Sequence, residues 1–383
     1  MSSETHAIGS TQSLRRRNSF RLASLVAAGL AAVTLAGCGG GGGGGGGSSN
    51  PPPPLTPTSS ISIFAGNPNA TGAVDGPSAS AQFNTPTGVA VDPAGNFYVA
   101  DNNNFTIRKI SAGTVSTFAG SAGTEGSADG TGSAASFEGP AHIAISPAGN
   151  LYVTDVGQAV TVREITPAGQ VTTLVDPRTG LALQTDASAE IAADHAGNIY
   201  VFTVASATGA HVLTQITPAG AVNVISLTTS AGTPLGLVLP SGLAVDSANN
   251  VYIADENPEG NAGVLYKVTL NGTTGTAVTL AGSLSIAGAS DGPGNAATFN
   301  GLSSLVVAPS GNIYANDYNN NEIREISPAG MVSTLAGTPT QYGLSLGPLP
   351  GILPSIDQLA WYGQSLYTAD FDDNVILQLS PAP

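Results

Sequence analysis

Hydrophobic residues in this chain fall in short clusters that alternate with polar positions and end at Gly, Pro, Asp or Asn. Val89-Ala90-Val91 stops at Asp92-Pro93-Ala94-Gly95, where Asp bonds the turn backbone and Gly takes a positive φ. Phe97 to Ala100, Thr106 to Ile110 and Val115 to Ala119 follow as a second, third and fourth strand. Each is β-rich and too short for a helix. The same order recurs around Tyr98, Tyr152, Tyr200, Tyr252, Tyr314 and Tyr367, at intervals of 54, 48, 52, 62 and 53 residues. A period of that size suits four strands, their turns and a variable connector.

Six copies with a truncated last member predict an all-β, six-bladed β-propeller of four-stranded blades. The chain stops at Ser380-Pro381-Ala382-Pro383, one strand short. Ile61-Ser62-Ile63-Phe64-Ala65-Gly66 matches Val115-Ser116-Thr117-Phe118-Ala119-Gly120, so an N-terminal strand is expected to complete the last blade and remove an open edge. The propeller is placed at residues 60–383. Ala90, Ala144, Ala192, Ala244 and Ala360 share one first-strand position, where a central channel demands small side chains.

The repeated unit, with its Asp-x-x-Gly-Asn turn, Tyr98-Val99-Ala100-Asp101, Ile107-Arg108-Lys109-Ile110 and Val115-Ser116-Thr117-Phe118-Ala119-Gly120, resembles the NHL repeat. Copies one, two and five match best. The third has Thr203 for the strand-end Asp and no basic residue in Leu213-Thr214-Gln215-Ile216; the sixth has Leu377-Gln378 where Arg108-Lys109 stand. The resemblance implies a propeller used mainly as a binding platform, with a minority of enzymes, so fold follows more firmly than function.

The N-terminus carries a separate signal. Arg15, Arg16, Arg17 and Arg21 precede an apolar stretch from Leu22 to Leu35 that is short for a membrane span, and Leu35-Ala36-Gly37-Cys38 resembles a bacterial lipobox. Residues 1–37 therefore read as a lipoprotein signal peptide. Cys38, the only cysteine, becomes the acylated anchor. Residues 38–59 form a Gly- and Pro-rich linker spanning roughly 25 Å, which places the propeller just off a bilayer. Gly39 after the cysteine favours the outer membrane, facing the periplasm or the cell surface.

Losing residues 1–37 removes four of 10 basic residues and one of 25 acidic ones, leaving 6 against 24. That balance excludes a nucleic-acid partner. The expected partners are the bilayer and a protein or small-molecule ligand.

The site is expected where first strands begin. The residues before the apolar strands are Gly88, His142, Glu190, Gly242, Ser304 and Gln358, the least repeated positions of the repeat. A symmetric fold offers no packing reason for that variety, so His142, Glu190, Ser304 and Gln358 are the leading ligand contacts. The bland alternative is a set of solvated residues at a wide channel mouth. His211 falls on the same face and His195 on the opposite one. Were the protein an enzyme, His142 and Glu190 would be its acid/base couple, as in a propeller lyase or lactone hydrolase, with Arg163 or Arg324 holding an anionic substrate. A binding module without a cofactor is the main reading; a calcium ion held by His142, Glu190 and Asp357 is the metal alternative.

Three further patterns read as structural. Asp101, Asp155, Asp255, Asp317 and Asp370 are expected to cap the loop that follows each of them. Asp75-Gly76, Asp129-Gly130 and Asp291-Gly292 read as turns, with Phe83, Phe137 and Phe299 as plugs between blades. Gly288-Ala289-Ser290-Asp291-Gly292 and Gly343-Leu344-Ser345-Leu346-Gly347 match a hydrolase elbow in letters only, lacking its strand-turn-helix context.

Overall fold

The computed structural model describes residues 59–185, 190–205 and 208–380, within a compact unit spanning Thr58–Pro383. The expected signal peptide, Cys38 and nearly all of the linker lie outside the described residues.

The described elements are strands and three one-turn 3-10 helices. In the first repeat unit Pro86–Val91, Phe97–Asp101, Thr106–Ser111 and Thr114–Gly120 pair in sequence order, each antiparallel to the next. The Asp92 turn forms as its residues dictate: Asp92 Oδ1 accepts from Ala94 N at 3.0 Å and Asn96 N at 2.9 Å, and Gly95 sits at φ +82°. Asp194 and Asp246 make the same turn.

Six separate four-stranded blades do not form. Four of the sheets have five strands, one has eight, and a two-stranded ribbon stands apart. The fifth strands are the dipeptides Gly76–Pro77, Gly130–Thr131, Gly292–Pro293 and Gly347–Pro348, through which connectors pair with outer strands. The third and fourth repeat units lack such a dipeptide. Their outer strands, Val222–Thr229 and Thr274–Gly282, instead run parallel and bond across Ser226↔Thr274 to Thr229↔Ala277, which fuses eight strands into one sheet. An outer edge covered in this way cannot recruit another chain.

The fold is propeller-like in that the first strands contact one another in a cycle: Pro86–Val91, Pro140–Ile145, Ile191–Ala193, Pro240–Val245, Leu302–Val307, Ile356–Tyr362 and back to Pro86–Val91. Ser60–Ala65 pairs antiparallel with Val375–Ser380 and also with Gly347–Pro348. Apolar side chains of adjacent sheets interdigitate around the cycle, as where Phe97, Val99 and Ile110 meet Tyr367, Ala369 and Ile376. Phe83, Phe137 and Phe299 are fully buried between sheets.

Candidate functional site

Five of the six inner strands carry a register shift near their start, at Pro86/Gly88, Pro140/Ile143, Pro240/Gly242, Leu302/Leu305 and Ile356/Leu359. A bulge takes a backbone N–H out of the ladder, and a buried one must find another acceptor. Side chains from other units supply it. Gln358 Oε1 accepts from Val89 N at 3.1 Å and Ile143 N at 2.9 Å, while its Nε2 donates to Ile143 O at 2.8 Å. Glu190 Oε2 accepts from Leu243 N and Leu305 N, both at 3.0 Å, and Ser304 Oγ accepts from Leu359 N at 2.8 Å. Three side chains thus satisfy five bulges.

This corrects both expectations for the mouth. His142, Glu190, Ser304 and Gln358 are all buried, so they are not solvated residues around a wide opening. Their variety also has a packing reason: one long side chain serves two strands only if a neighbour is absent. Gly88 and Gly242 provide that absence, since a Cβ on either would overlap a backbone oxygen, of Ala141 and Ser303 respectively.

His142 and Glu190 are not a hydrogen-bonded couple. His142 Nε2 lies 3.4 Å from Asp357 Oδ1, and its backbone N–H donates to Thr154 Oγ1 at 3.0 Å. Glu190 has its pKa pushed up to about 7 by burial; the His142 charge and the hydrogen bonds from Leu243, Ser304 and Leu305 pull the other way. Among the described residues no group of three or more His, Cys, Asp or Glu is placed to hold a metal, and His142, Glu190 and Asp357 do not make one.

Arg163 and Arg324 lie elsewhere, as does Arg108. Each is a fully buried clamp between two carboxylates: Arg108 between Asp101 (2.8 Å) and Asp75 (2.5 Å), Arg163 between Asp155 (2.9 Å) and Asp129 (3.0 Å), Arg324 between Asp317 (2.7 Å) and Asp291 (2.7 Å). The rings of Phe83, Phe137 and Phe299 lie 5.2 to 5.3 Å from the three guanidinium carbons. No anionic substrate is held by groups so enclosed. The Asp-Gly pairs are therefore not the turns expected of them: each Asp is an outer clamp residue, and each Gly begins a dipeptide strand paired with an outer strand. Four strand-end aspartates cap backbone of the connector before the first strand: Asp101 accepts from Asn84 N, Asp155 from Glu138 N and Gly139 N, Asp255 from Val238 N and Leu239 N, Asp317 from Asn300 N. Asp101 and Asp317 also hold the loop that follows, through the Asn104 and Asn320 side chains. Asp370 caps backbone that follows it, at Asp372 and Asp373. His211 begins the strand His211–Ile216, half-buried and bridged to Leu237, away from the inner-strand layer.

Beyond that layer the six inner strands enclose a cavity of about 200 Å³, lined by Ala90, Ala144, Ala192, Ala244 and Ala360 with Gln358 at one end. Val89, Ile143, Ile191, Leu243, Leu305 and Leu359 on the Gln358 side are buried. Val91, Ile145, Ala193, Val245, Val307 and Trp361 at the other end are partly exposed. The side chains nearest Gln358 are thus more enclosed than those toward the first turns. Trp361, stacked on Tyr314 with ring centroids 5.3 Å apart, stands at the partly exposed end; it is the only tryptophan, a signal the repeat alignment passed over.

The NHL repeat family matches residues 83–110, the inner, second and third strands of the first unit. No curated protein matches the sequence at a significant level. Among solved structures the fold is similar to an auxiliary nutrient binding protein from Bacteroides thetaiotaomicron VPI-5482, with TM-score 0.63 and 14% identity over 85% of this chain and 77% of that one. A protein of the same description from Bacteroides ovatus ATCC 8483 gives TM-score 0.62 and 16% identity over the same shares. A gluconolactonase from Xanthomonas campestris gives TM-score 0.53 and 13% identity over 79% and 87%. At these identities the likeness is one of fold.

Proposed function

We propose that this chain is a ligand-binding module tethered to a bacterial membrane through acylated Cys38, displaying its β-domain to the periplasm or the cell surface. The observation that carries the binding reading is the axial cavity: walled by alanines, with the partly exposed Trp361 toward one end and Gln358, committed to backbone N–H groups, toward the other. A cavity of about 200 Å³ is smaller than a drug-sized ligand pocket and suits one small ring or the tip of a protein loop, with Trp361 and Tyr314 as the flat surface it meets. The solved structures of similar fold described as auxiliary nutrient binding proteins suggest a small nutrient molecule as the class of ligand. A lyase or lactone hydrolase finds less support, because Glu190 is spent on two bulges and His142 faces Asp357 instead.

The sole tryptophan makes the test direct. Emission of Trp361 is expected to shift as a panel of monosaccharides and other small nutrient molecules is titrated in, and Ala244→Leu, which narrows the cavity wall, is expected to abolish the shift. A panel without effect on emission or on melting temperature would sink the cavity reading. Anchoring is tested separately: cells fed an alkyne-labelled fatty acid should label the wild-type chain and leave Cys38→Ala unlabelled.

A further inference from the structure

A second cavity, of about 340 Å³, lies in the eight-stranded sheet and is lined by His211, Leu213, Ile225, Leu227, Leu235 and Leu237, among others. Its origin can be followed in the chain. At two other joints between repeat units a plug phenylalanine packs on the glycine that ends the preceding fourth strand. A Cβ on Gly120 would stand 3.1 Å from the Phe137 ring, and one on Gly282 would stand 2.7 Å from the Phe299 ring. Phe137 and Phe299 each precede the bulge residue of their inner strand, Ile143 and Leu305, by six positions. At the joint between the third and fourth units that position is Leu237, six before Leu243. The strand register puts Ser226 where Gly120 stands, because Ile225 faces Leu213 as Ala119 faces Ile107.

The clamp has gone from these units too. Thr214 and Tyr266 stand where Arg108 does, opposite Val201 and Ile253, and Thr203 replaces the strand-end Asp, its hydroxyl 2.7 Å from that of Thr214. Meanwhile Val222–Thr229 leaves His211–Ile216 after Leu213↔Ile225 to join Thr274–Gly282. It then folds back, with Thr229 N bonded to Thr233 O and Leu235 N to Leu227 O. The divergence opens a space beside the missing ring.

We infer that this cavity is a second binding site, for a small aromatic molecule of one or two rings, distinct from the axial cavity and standing whether or not that one binds a ligand. The occupant is the chemistry the fold places at the neighbouring joints: a planar apolar ring between a strand end and a connector. The size is adequate, since about 150 Å³ of dry apolar cavity holds a benzene and ordinary ligand pockets begin near about 300 Å³. The aliphatic walls of Leu213, Ile225, Leu227, Leu235 and Leu237 supply contact area. Ser226 and Thr228 offer hydroxyls to a polar substituent.

The probe is 4-fluorophenol, followed by ¹⁹F line broadening and a competition with indole, on the purified full-length chain. Broadening that saturates at millimolar probe and is reversed by indole is expected. Leu237→Phe, which restores the plug, and Ser226→Trp, which fills the space from an exposed position, are each expected to weaken binding at least about tenfold. Should Leu237→Phe not fold, Ser226→Trp decides. Absence of saturable broadening, or broadening unchanged in the folded variants, overturns the inference. Loss of broadening in Ala244→Leu with retention in Ser226→Trp would move the probe to the axial cavity and overturn it equally.

Discussion

Replacing Glu190 by Gln should make the protein more stable at alkaline pH and leave it nearly unchanged at acid pH. Glu190 is buried with its pKa raised from 4.5 to about 7, chiefly by desolvation. The folded state therefore keeps a proton that the unfolded chain has already released. The associated stability is fully present below pH about 4.5 and is lost as pH rises through about 7. A rise of this size corresponds to about 3 kcal/mol. Glutamine carries the same carbonyl-type acceptor, so its Oε1 can take the N–H groups of Leu243 and Leu305 without a buried charge. Urea unfolding of wild type and Glu190→Gln at several pH values from 5 to 8 reads the difference. The two free energies should differ by about 1 kcal/mol at pH 5 and by about 3 kcal/mol at pH 8, the variant being the more stable. Parallel profiles, or a variant weaker at pH 8, would refute the assignment of Glu190 as a buried carboxyl serving two bulges.

Arg324→Met leaves Asp317 buried without its cation and should cost about 3 to 5 kcal/mol by denaturant unfolding. The double change Asp317→Thr with Arg324→Thr, copying Thr203 and Thr214, should recover part of that loss; a double variant no better than the single one counts against the clamp as a unit. Asp370 has Leu377, not Arg, in the neighbouring strand, and burial together with the Asp373 and Asp372 charges raises its pKa. The folded state again holds the extra proton, so wild type loses stability as pH rises from the ordinary Asp range through that raised value; Asp370→Asn should lose less over the same interval in thermal melts. Gly242→Ala puts a methyl against Ser303 O, and a melting temperature within error of wild type would contradict the close packing of inner strands there.

The strands were legible in the sequence because period-two alternation and Asp-x-x-Gly-Asn turns are local. What escaped was partnership. Gly76–Pro77 and its counterparts are two residues long and show no alternation, so nothing marks them as fifth strands until Thr114–Gly120 and the other outer strands are in place. The parallel seam of Ser226–Thr229 with Thr274–Ala277 likewise depends on two extended strands meeting in space. The clamp did leave a trace: the units with Asp75, Asp129 and Asp291 in their connectors are the ones with Arg108, Arg163 and Arg324. At the inner layer, His142, Glu190, Ser304 and Gln358 stand out in the sequence as the odd residues at one repeat position. Their variety reflects a division of labour, in which Gln358 and Glu190 each reach two strands across the gaps at Gly88 and Gly242, and symmetry arguments cannot see it.

Ser60 pairs with Ser380 and Ala65 with Ile376, so the two ends of the described chain leave the domain side by side from the same end of one strand pair. A force applied between the termini would load these hydrogen bonds one after another, as a zipper, and not together in shear. The domain should therefore yield at low force when stretched end to end. Pulled from its N-terminal side against a load held elsewhere on the body, it first has to strip Ser60–Ala65 from both Val375–Ser380 and Gly347–Pro348. Its mechanical strength depends on where the load is attached.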